Sequence, residues 1–319
     1  MNPSEQPFFI VGVHRSGTTL LRYMLSSSPR IYIPPESDFI PRFFLKRPSH
    51  HLDEEQVEKI LNFIFTRYRF VKEWEGEAPQ AALFFEQRNP QTAAGFLDHL
   101  YRSYAEQKGA VRWGDKTPIY SSYIDLIHQI FPQAKFIHII RDGRDVALSI
   151  LDKWGDKEFH VDIYFAARNW VRRIRQGQAS GKRIGSDLFY ELHYESLVDE
   201  PERELRAICD FLDEPFVEEM VTHHRQASQQ IESGSFHDAV RQPANKSRIG
   251  RWREEMSPAD LRLFERIAAP LLTELGYKTA SDGTMPITEK ARFQALHLKY
   301  ETLQFGRSLA QRAGLVPPI

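Results

Sequence analysis

Phe8-Phe9-Ile10-Val11-Gly12-Val13-His14-Arg15-Ser16-Gly17-Thr18-Thr19-Leu20 is the stretch that decides the fold. A β-rich apolar run meets Gly12-x4-Gly17, then two threonines and the amphipathic segment Leu20 to Leu25. That order reads as strand, phosphate loop and helix, a P-loop with one change: Thr18 stands where a P-loop NTPase needs lysine. Such a loop still cradles phosphate with backbone N–H groups and a helix N-terminus. It lacks the cation that reaches the β- and γ-phosphates of ATP. The expectation is a phosphorylated nucleotide that is not a triphosphate.

Outward from this loop the pattern alternates strand and helix, which implies a mostly parallel sheet covered on both faces. After the helix Thr18 to Ser26 comes a short strand, Arg30 to Ile33, ended by Pro34-Pro35. From about Phe39 to Lys108 the pattern is helical, with Leu52 to Arg69 and Ala93 to Glu106 the clearest pieces and breaks at Gly76 to Pro79 and Arg88 to Pro90. Strands are then predicted over Ala110 to Trp113, Ala134 to Ile140 and Leu188 to Tyr194. Helices are predicted over Tyr120 to Ile130, Asp145 to Lys153, Ile163 to Gln178 and Glu200 to Leu212. Ser257-Pro258 opens a helix to Leu275, with Ser at N-cap and Pro at N1. A last helix is predicted near Ile287 to Gln311, carrying Phe293, Leu296, Tyr300 and Leu303 at helical spacing. It packs on the body or on a second subunit, so a homodimer is one expectation.

The chain has 319 residues, 41% hydrophobic and 27% charged, which suits a globular protein. A net charge of −1 argues against nucleic acid as a bulk electrostatic partner, so basic residues must act locally. Cys209 is the single cysteine, which excludes an intrachain disulfide and a zinc-cysteine cluster. It lies in the helical apolar pattern Leu205, Ile208, Cys209, Leu212 and reads as core. Met1 to Pro7 has no signal-peptide apolar region and no window reaches the length of a membrane span, so no transmembrane segment and a cytoplasmic location are expected. The twelve histidines show no metal-ligand spacing; the pairs His50-His51 and His223-His224 read as surface, with His237 a reserve candidate, and no metal is expected.

A second anion signal is Phe136-Ile137-His138-Ile139-Ile140-Arg141-Asp142-Gly143-Arg144-Asp145-Val146-Ala147-Leu148-Ser149. An apolar strand delivers Arg141 at its C-terminal edge, where open α/β sheets bind ligands. The next helix starts near Arg144 and puts Ser149 in its second turn, so a guanidinium and a hydroxyl converge on one phosphate. The competing reading of Arg141 is a surface ion pair with Asp142 or Asp145.

Together the two segments resemble the sulfotransferases that use 3′-phosphoadenosine 5′-phosphosulfate (PAPS). Lys116-Thr117-Pro118, Tyr194-Glu195-Ser196-Leu197 and Gly250-Arg251-Trp252-Arg253 agree in order and spacing. The resemblance covers about Phe8 to Leu275, the helical insertion least. It implies an α/β, P-loop-like three-layer sandwich with a mostly parallel central sheet, a helical insertion and C-terminal helices. The domain reading is one unit over 1–280, with the insertion at about 39–108, and a C-terminal helical extension over 281–319.

The resemblance also assigns roles. Arg15, Ser16, Gly17, Thr18 and Thr19 would hold the 5′-phosphate, and Arg141 and Ser149 the 3′-phosphate. Tyr194 matches a position near the adenine, against a core strand tyrosine as the alternative. Lys246, Ser247, Arg248 and Gly250 sit where the family closes a loop over the 3′-phosphate. PAPS would leave as 3′-phosphoadenosine 5′-phosphate (PAP), and positive charge from Arg15 and Lys116 would serve in place of a metal. Soluble small-molecule sulfotransferases have a histidine base where this chain has Pro118. Glu36-Ser37-Asp38-Phe39-Ile40-Pro41-Arg42 instead resembles the protein-tyrosine sulfotransferases, which makes Glu36 the general base and Arg42 a further site cation. A solvated loop carboxylate is the alternative for Glu36. The acceptor would carry a hydroxyl on a phenol, saccharide, lipid or natural product. A P-loop kinase and a non-catalytic nucleotide-binding protein are the other function classes. Thr18 and the absence of a Walker B carboxylate, since the strand Phe136 to Ile140 ends in Arg141, disfavour the kinase.

Overall fold

The computed structural model describes residues 6–46, 51–66, 92–155, 161–225 and 238–312. Five parallel strands form one sheet: β1 (Phe8–Gly12), β2 (Ile31–Tyr32), β3 (Arg112–Lys116), β4 (Lys135–Ile140) and β5 (Phe189–His193), in the order β2-β3-β1-β4-β5. β1 lies at the centre, Ile10 opposite Lys116 on one side and Ile137 on the other. Every residue of β1 is buried. Because side chains alternate across a strand, Phe9 and Val11 enter one core and Phe8 and Ile10 another. This two-faced burial is the reason a continuous apolar run, without polar alternation, forms the central strand.

α1 (Thr18–Ser26), between β1 and β2, packs into the core of Phe8 and Ile10, while the core around Phe9 is closed by helices between β2 and β3: α2 (Ile40–Phe44), α3 (Glu54–Thr66) and α4 (Ala93–Gln107). Val57, Ile60, Leu61 and Ile64 recur at helical spacing on α3, and Phe96, Leu97, Leu100 and Tyr101 on α4. The insertion is therefore helical throughout its described part. The expected end of α3 at 67–69 and the two expected breaks lie outside the described residues.

Helices α5 (Ile124–Ile130), α6 (Gly143–Trp154), α7 (Ile163–Ile184), α8 (Tyr194–Asp199), α9 (Pro201–Leu212), α10 (Trp252–Glu255), α11 (Pro258–Glu274) and α12 (Ile287–Arg312) complete the layers. Ser257 caps α11 as the sequence suggested, accepting from Asp260 N with Pro258 in the first turn, and Asp142 caps α6 by accepting from Arg144 N. Tyr300 of α12 is buried against Tyr164, and Tyr164 Oη lies 2.8 Å from His297 Nδ1. Leu303, expected on the packed stripe of α12, is instead exposed at 54%. Among the described residues no helix is long and apolar enough to cross a membrane.

Three local expectations need correction. The third strand is Arg112–Lys116, not Ala110 to Trp113; Val111 is exposed while Arg112, Asp115 and Lys116 are buried. Arg112 is fully buried with its Nε donating to Gln6 O and its Nη1 to Leu212 O and Glu214 Oε1, while Nη2 has no hydrogen-bond partner among the described residues. The helix expected over Tyr120 to Ile130 is a 3₁₀ turn, Pro118–Ser122, and then α5. His223 is in the interior at 1% exposure, and burial pushes its imidazole down to about 4. Cys209 is buried in α9 as the pattern required, and burial raises its thiol to about 11.

Candidate active site

The site lies where the central strands end. The loop from Val13 to Gly17 turns between β1 and α1, with Ser16 N donating to Val13 O at 3.1 Å. Arg15 holds a left-handed backbone conformation, φ 73°, uncommon for a residue with a side chain. Gly17, φ 96°, is the N-cap of α1. A Cβ on Gly17 would stand 2.3 Å from Cδ2 of Tyr194, so the close approach as well as the dihedral demands glycine. The loop's tight turn thus faces the first residue of α8.

Arg15 and the end of β4 form one cluster. Arg15 Nε donates to Ser149 Oγ at 2.9 Å, and Arg141 Nη1 donates to Arg15 O at 3.0 Å. Arg141 also donates to Arg248 O, and its guanidinium lies 4.6 Å from the centre of the Tyr194 ring. Arg141 is only 5% exposed and its nearest carboxylate oxygen, Asp145 Oδ2, is 4.0 Å away, so it is not a surface ion pair. Burial, then the charges of Arg248 and Arg141, hold the Arg15 guanidinium below its ordinary pKa, against the opposing pull of Asp152 and Glu36. Ser16 Oγ and Arg141 Nε are buried without a protein hydrogen-bond partner. Arg15 bonded through its carbonyl to Arg141, the charge of Arg248 acting on Arg15, and an unmatched hydroxyl and N–H make a site whose deficit is an anion.

A second cluster lies across β1. Lys116, the last residue of β3, points its Nζ at Glu36 Oε1, 2.6 Å away, and at Thr19 Oγ1, 3.3 Å away. The lysine side chain is 2% exposed and the glutamate 24%. Burial lowers the Lys116 pKa; Glu36 pulls it back up and Arg22 pushes it further down. Glu36 is therefore held by a buried cation and is not a solvated loop carboxylate. This contact joins the loop after β2, the end of β3 and the first turn of α1.

Not every expected residue converges equally. Tyr194 begins α8, not the end of a strand, and packs between Gly17 and Arg141. Lys246 is exposed and pairs with Asp199. Arg248 reaches the cluster through its carbonyl, in the 3₁₀ turn Lys246–Arg248. Gly250, φ 75°, donates its N–H to Asp145 Oδ2 at 2.7 Å, so the loop is tied to α6. Arg42 lies 4.4 Å from the ring centre of Phe63, a packing role within the insertion. His237 and His50 lie outside the described residues. Among those described, no group of three His, Cys, Asp or Glu side chains is placed to hold a metal ion. Residues that sequence reasoning missed stand directly behind the second cluster: Ser37, Tyr101, Asp115 and Tyr120, all fully buried. Their only signal was adjacency, Ser37 to Glu36 and Asp115 to Lys116.

Known proteins are similar to this chain in sequence and in fold. The chain is 30% identical over 284 residues to a protein-tyrosine sulfotransferase of Drosophila melanogaster, covering 86% of this chain and 52% of that one. It is 28% identical over 293 residues to an uncharacterised protein of Aquifex aeolicus, covering 88% of this chain and 34% of that one. The chain thus spans about half or less of these two curated relatives. Among solved structures it is similar to the sulfotransferase domain of the Synechococcus PCC 7002 olefin synthase, with a TM-score of 0.60, 25% identity, and coverage of 86% of this chain and 96% of that one. The model of the sulfotransferase family matches residues 7–219, more than half of the sequence. With the family model matched over two thirds of its length, this chain belongs to the sulfotransferase family.

Proposed function

We propose that this sulfotransferase moves a sulfuryl group from PAPS to an acceptor hydroxyl by in-line displacement, with Glu36 as general base. The observation that carries the reading is the contact of Lys116 Nζ with both Glu36 and Thr19, across β1 from the Arg15–Arg141–Ser149 cluster. PAPS carries its activated sulfuryl group at the end of the 5′-phosphate and a separate phosphate on the 3′ oxygen, so its site needs cations at both ends, which Lys116 on one side of β1 and the Arg15–Arg141–Ser149 cluster on the other supply. Ser16 Oγ and Arg141 Nε, buried and without protein partners, fit phosphate oxygens.

The loop Arg15 to Thr19 binds the 5′-phosphate with its backbone and the N-terminus of α1. Arg141 and Ser149 take the 3′-phosphate, with the turn Lys246 to Gly250 closing over it. Tyr194 supports Arg141 from below. Glu36 accepts the proton of the acceptor hydroxyl as its oxygen bonds to sulfur and the bond from sulfur to the bridging phosphate oxygen breaks. Lys116 and Arg15 stabilise the charge that passes from the transferred group to the departing phosphate. Lys116 also holds the Glu36 carboxylate in place.

The test is conversion of PAPS to PAP with an acceptor panel of phenols, saccharides, lipid alcohols and natural-product alcohols. A tyrosine peptide belongs in the first set, because one relative is a protein-tyrosine sulfotransferase. Glu36→Gln is expected to lower turnover by about 10²–10⁴-fold while PAP binding, measured by calorimetry, is kept. Wild-type turnover in that variant would remove Glu36 from the role of base. Metal-dependent ATP affinity above that for PAP would replace the whole reading with phosphoryl transfer.

A further inference from the structure

Glu36-Ser37 and Asp115-Lys116 meet twice. Glu36 pairs with Lys116 on the open side, and Ser37 Oγ donates to Asp115 Oδ2 at 2.7 Å on the buried side. Successive residues of a strand point to opposite faces, so β3 presents Lys116 to the site and Asp115 to the core behind it. Tyr101 Oη of α4 donates to the same carboxylate oxygen at 2.6 Å. The Ser37 hydroxyl, its hydrogen spent on Asp115, accepts from Tyr120 Oη at 2.7 Å, and Tyr120 Oη accepts from Ile40 N at 3.2 Å. Ser37 N donates to Thr117 Oγ1 at 3.0 Å.

Every side chain in this chain of bonds is buried, and each bond joins a different element. Together they tie β3, the helical insertion, the 3₁₀ turn after Lys116 and the loop that carries Glu36. Burying a carboxylate costs stability, and an apolar residue would fill the same space without that cost. What a carboxylate adds is direction: two donors converge on one oxygen and fix the Ser37 side chain in one rotamer. The next residue, Asp38, holds a left-handed backbone at φ 48°, a conformation that needs such support. The backbone on either side of the Glu36–Ser37 peptide is thereby restrained.

We propose that Asp115 is a positioning residue for sulfuryl transfer: through Ser37, with Tyr101 and Tyr120 as outer partners, it sets the Glu36 carboxylate against Lys116. The inference rests on Glu36 being the base. All four network side chains are fully buried behind the Glu36–Lys116 pair, so the expected effect is on the rate constant and not on donor binding.

The experiment compares Ser37→Ala, Asp115→Asn and Tyr120→Phe, each alone and combined with Glu36→Gln. Turnover is read as PAP released from PAPS with tyramine and 4-methylumbelliferone as probes, and PAP affinity by calorimetry. Crystal structures of the single variants give the Glu36–Lys116 distance without any need for an acceptor. Ser37→Ala and Asp115→Asn are expected to lower kcat by at least ~10-fold with KM for PAPS unchanged, and to add nothing in the Glu36→Gln background. In their structures the Glu36 carboxylate should leave Lys116. If Asp115→Asn fails to fold, Ser37→Ala and Tyr120→Phe carry the same test. Retained Glu36–Lys116 contact in the folded variants would overturn the inference, as would equal losses with and without Glu36. Full turnover of Glu36→Gln alone would instead overturn the base assignment.

Discussion

Asp145 fastens Gly250: its Oδ2 accepts the glycine N–H at 2.7 Å, while Oδ1 accepts the N–H of Trp252 at 3.0 Å. One carboxylate on α6 thus holds the segment that follows the turn Lys246–Arg248. Burial raises its pKa, and the two backbone donors and Arg141 oppose that rise. Asp145→Ala should leave two backbone N–H groups without partners and cost about 3 kcal/mol of stability, with Asp145→Asn recovering part of it. Urea denaturation at neutral pH checks this, and an unchanged midpoint for the alanine variant would refute it.

Gly17→Ala tests the contact with Tyr194. The new methyl group would meet the ring at 2.3 Å, in a backbone conformation that disfavours any side chain. The expected cost is roughly 2 kcal/mol or more, together with loss of PAP binding as the loop shifts. Pairing it with Tyr194→Ala should restore part of the stability by making room. No recovery in the double variant would show that the dihedral alone sets the cost.

Arg141→Lys keeps the charge and removes the fork. A lysine cannot donate to Arg15 O and Arg248 O while lying flat against Tyr194. PAP affinity should fall by about tenfold or more, near 1.4 kcal/mol, with little change in the melting temperature. Calorimetry gives the first quantity and scanning fluorimetry the second. Wild-type affinity in the lysine variant would mean that charge alone suffices.

Asp115 makes a pH-dependent contribution with a definite sign. Burial raises its pKa above the ordinary 3.8, the Tyr101 and Ser37 hydrogen bonds only partly opposing it. The folded chain therefore holds this proton more tightly than the unfolded one. Its contribution is full below the ordinary aspartate value and is lost as pH rises through the raised one. Relative to Asp115→Asn, the wild type should lose stability as pH climbs from about 4 and then level off. Urea titrations of both proteins across that range measure the difference; a flat difference curve would count against it.

The sequence showed its apolar parts and concealed its charged interior. β1 and β4 were legible because five and six residues in a row belong to strands buried on both faces. The turn after β1 and the place of Arg141 at the end of β4 were legible because glycines and a guanidinium stand at set places relative to two apolar strand ends. β3 begins two residues and ends three residues later than expected, since its Arg112, Asp115 and Lys116 look like solvent-facing residues until Glu214, Ser37 and Glu36 are brought to them. Those partners lie far away in sequence, so no local pattern announces them. The break at Tyr123 in the helix expected after Pro118 and the start of α8 at Tyr194 were missed for the same reason: tertiary contacts override periodicity. His223 was misread because a histidine pair looks polar, although burial keeps it neutral.

The strand order β2-β3-β1-β4-β5 places β1 as a partition. Everything assigned to the nucleotide's far phosphate hangs from the β4–β5 half, and Glu36 with its insertion hangs from the β2–β3 half. Lys116, reaching Thr19 from β3, is the hinge pin between them. A protein divided in this way can exchange one flank while conserving the other. The interval between β2 and β3 is then the natural place to graft a foreign acceptor specificity, provided the graft brings its own Ser37 to meet Asp115.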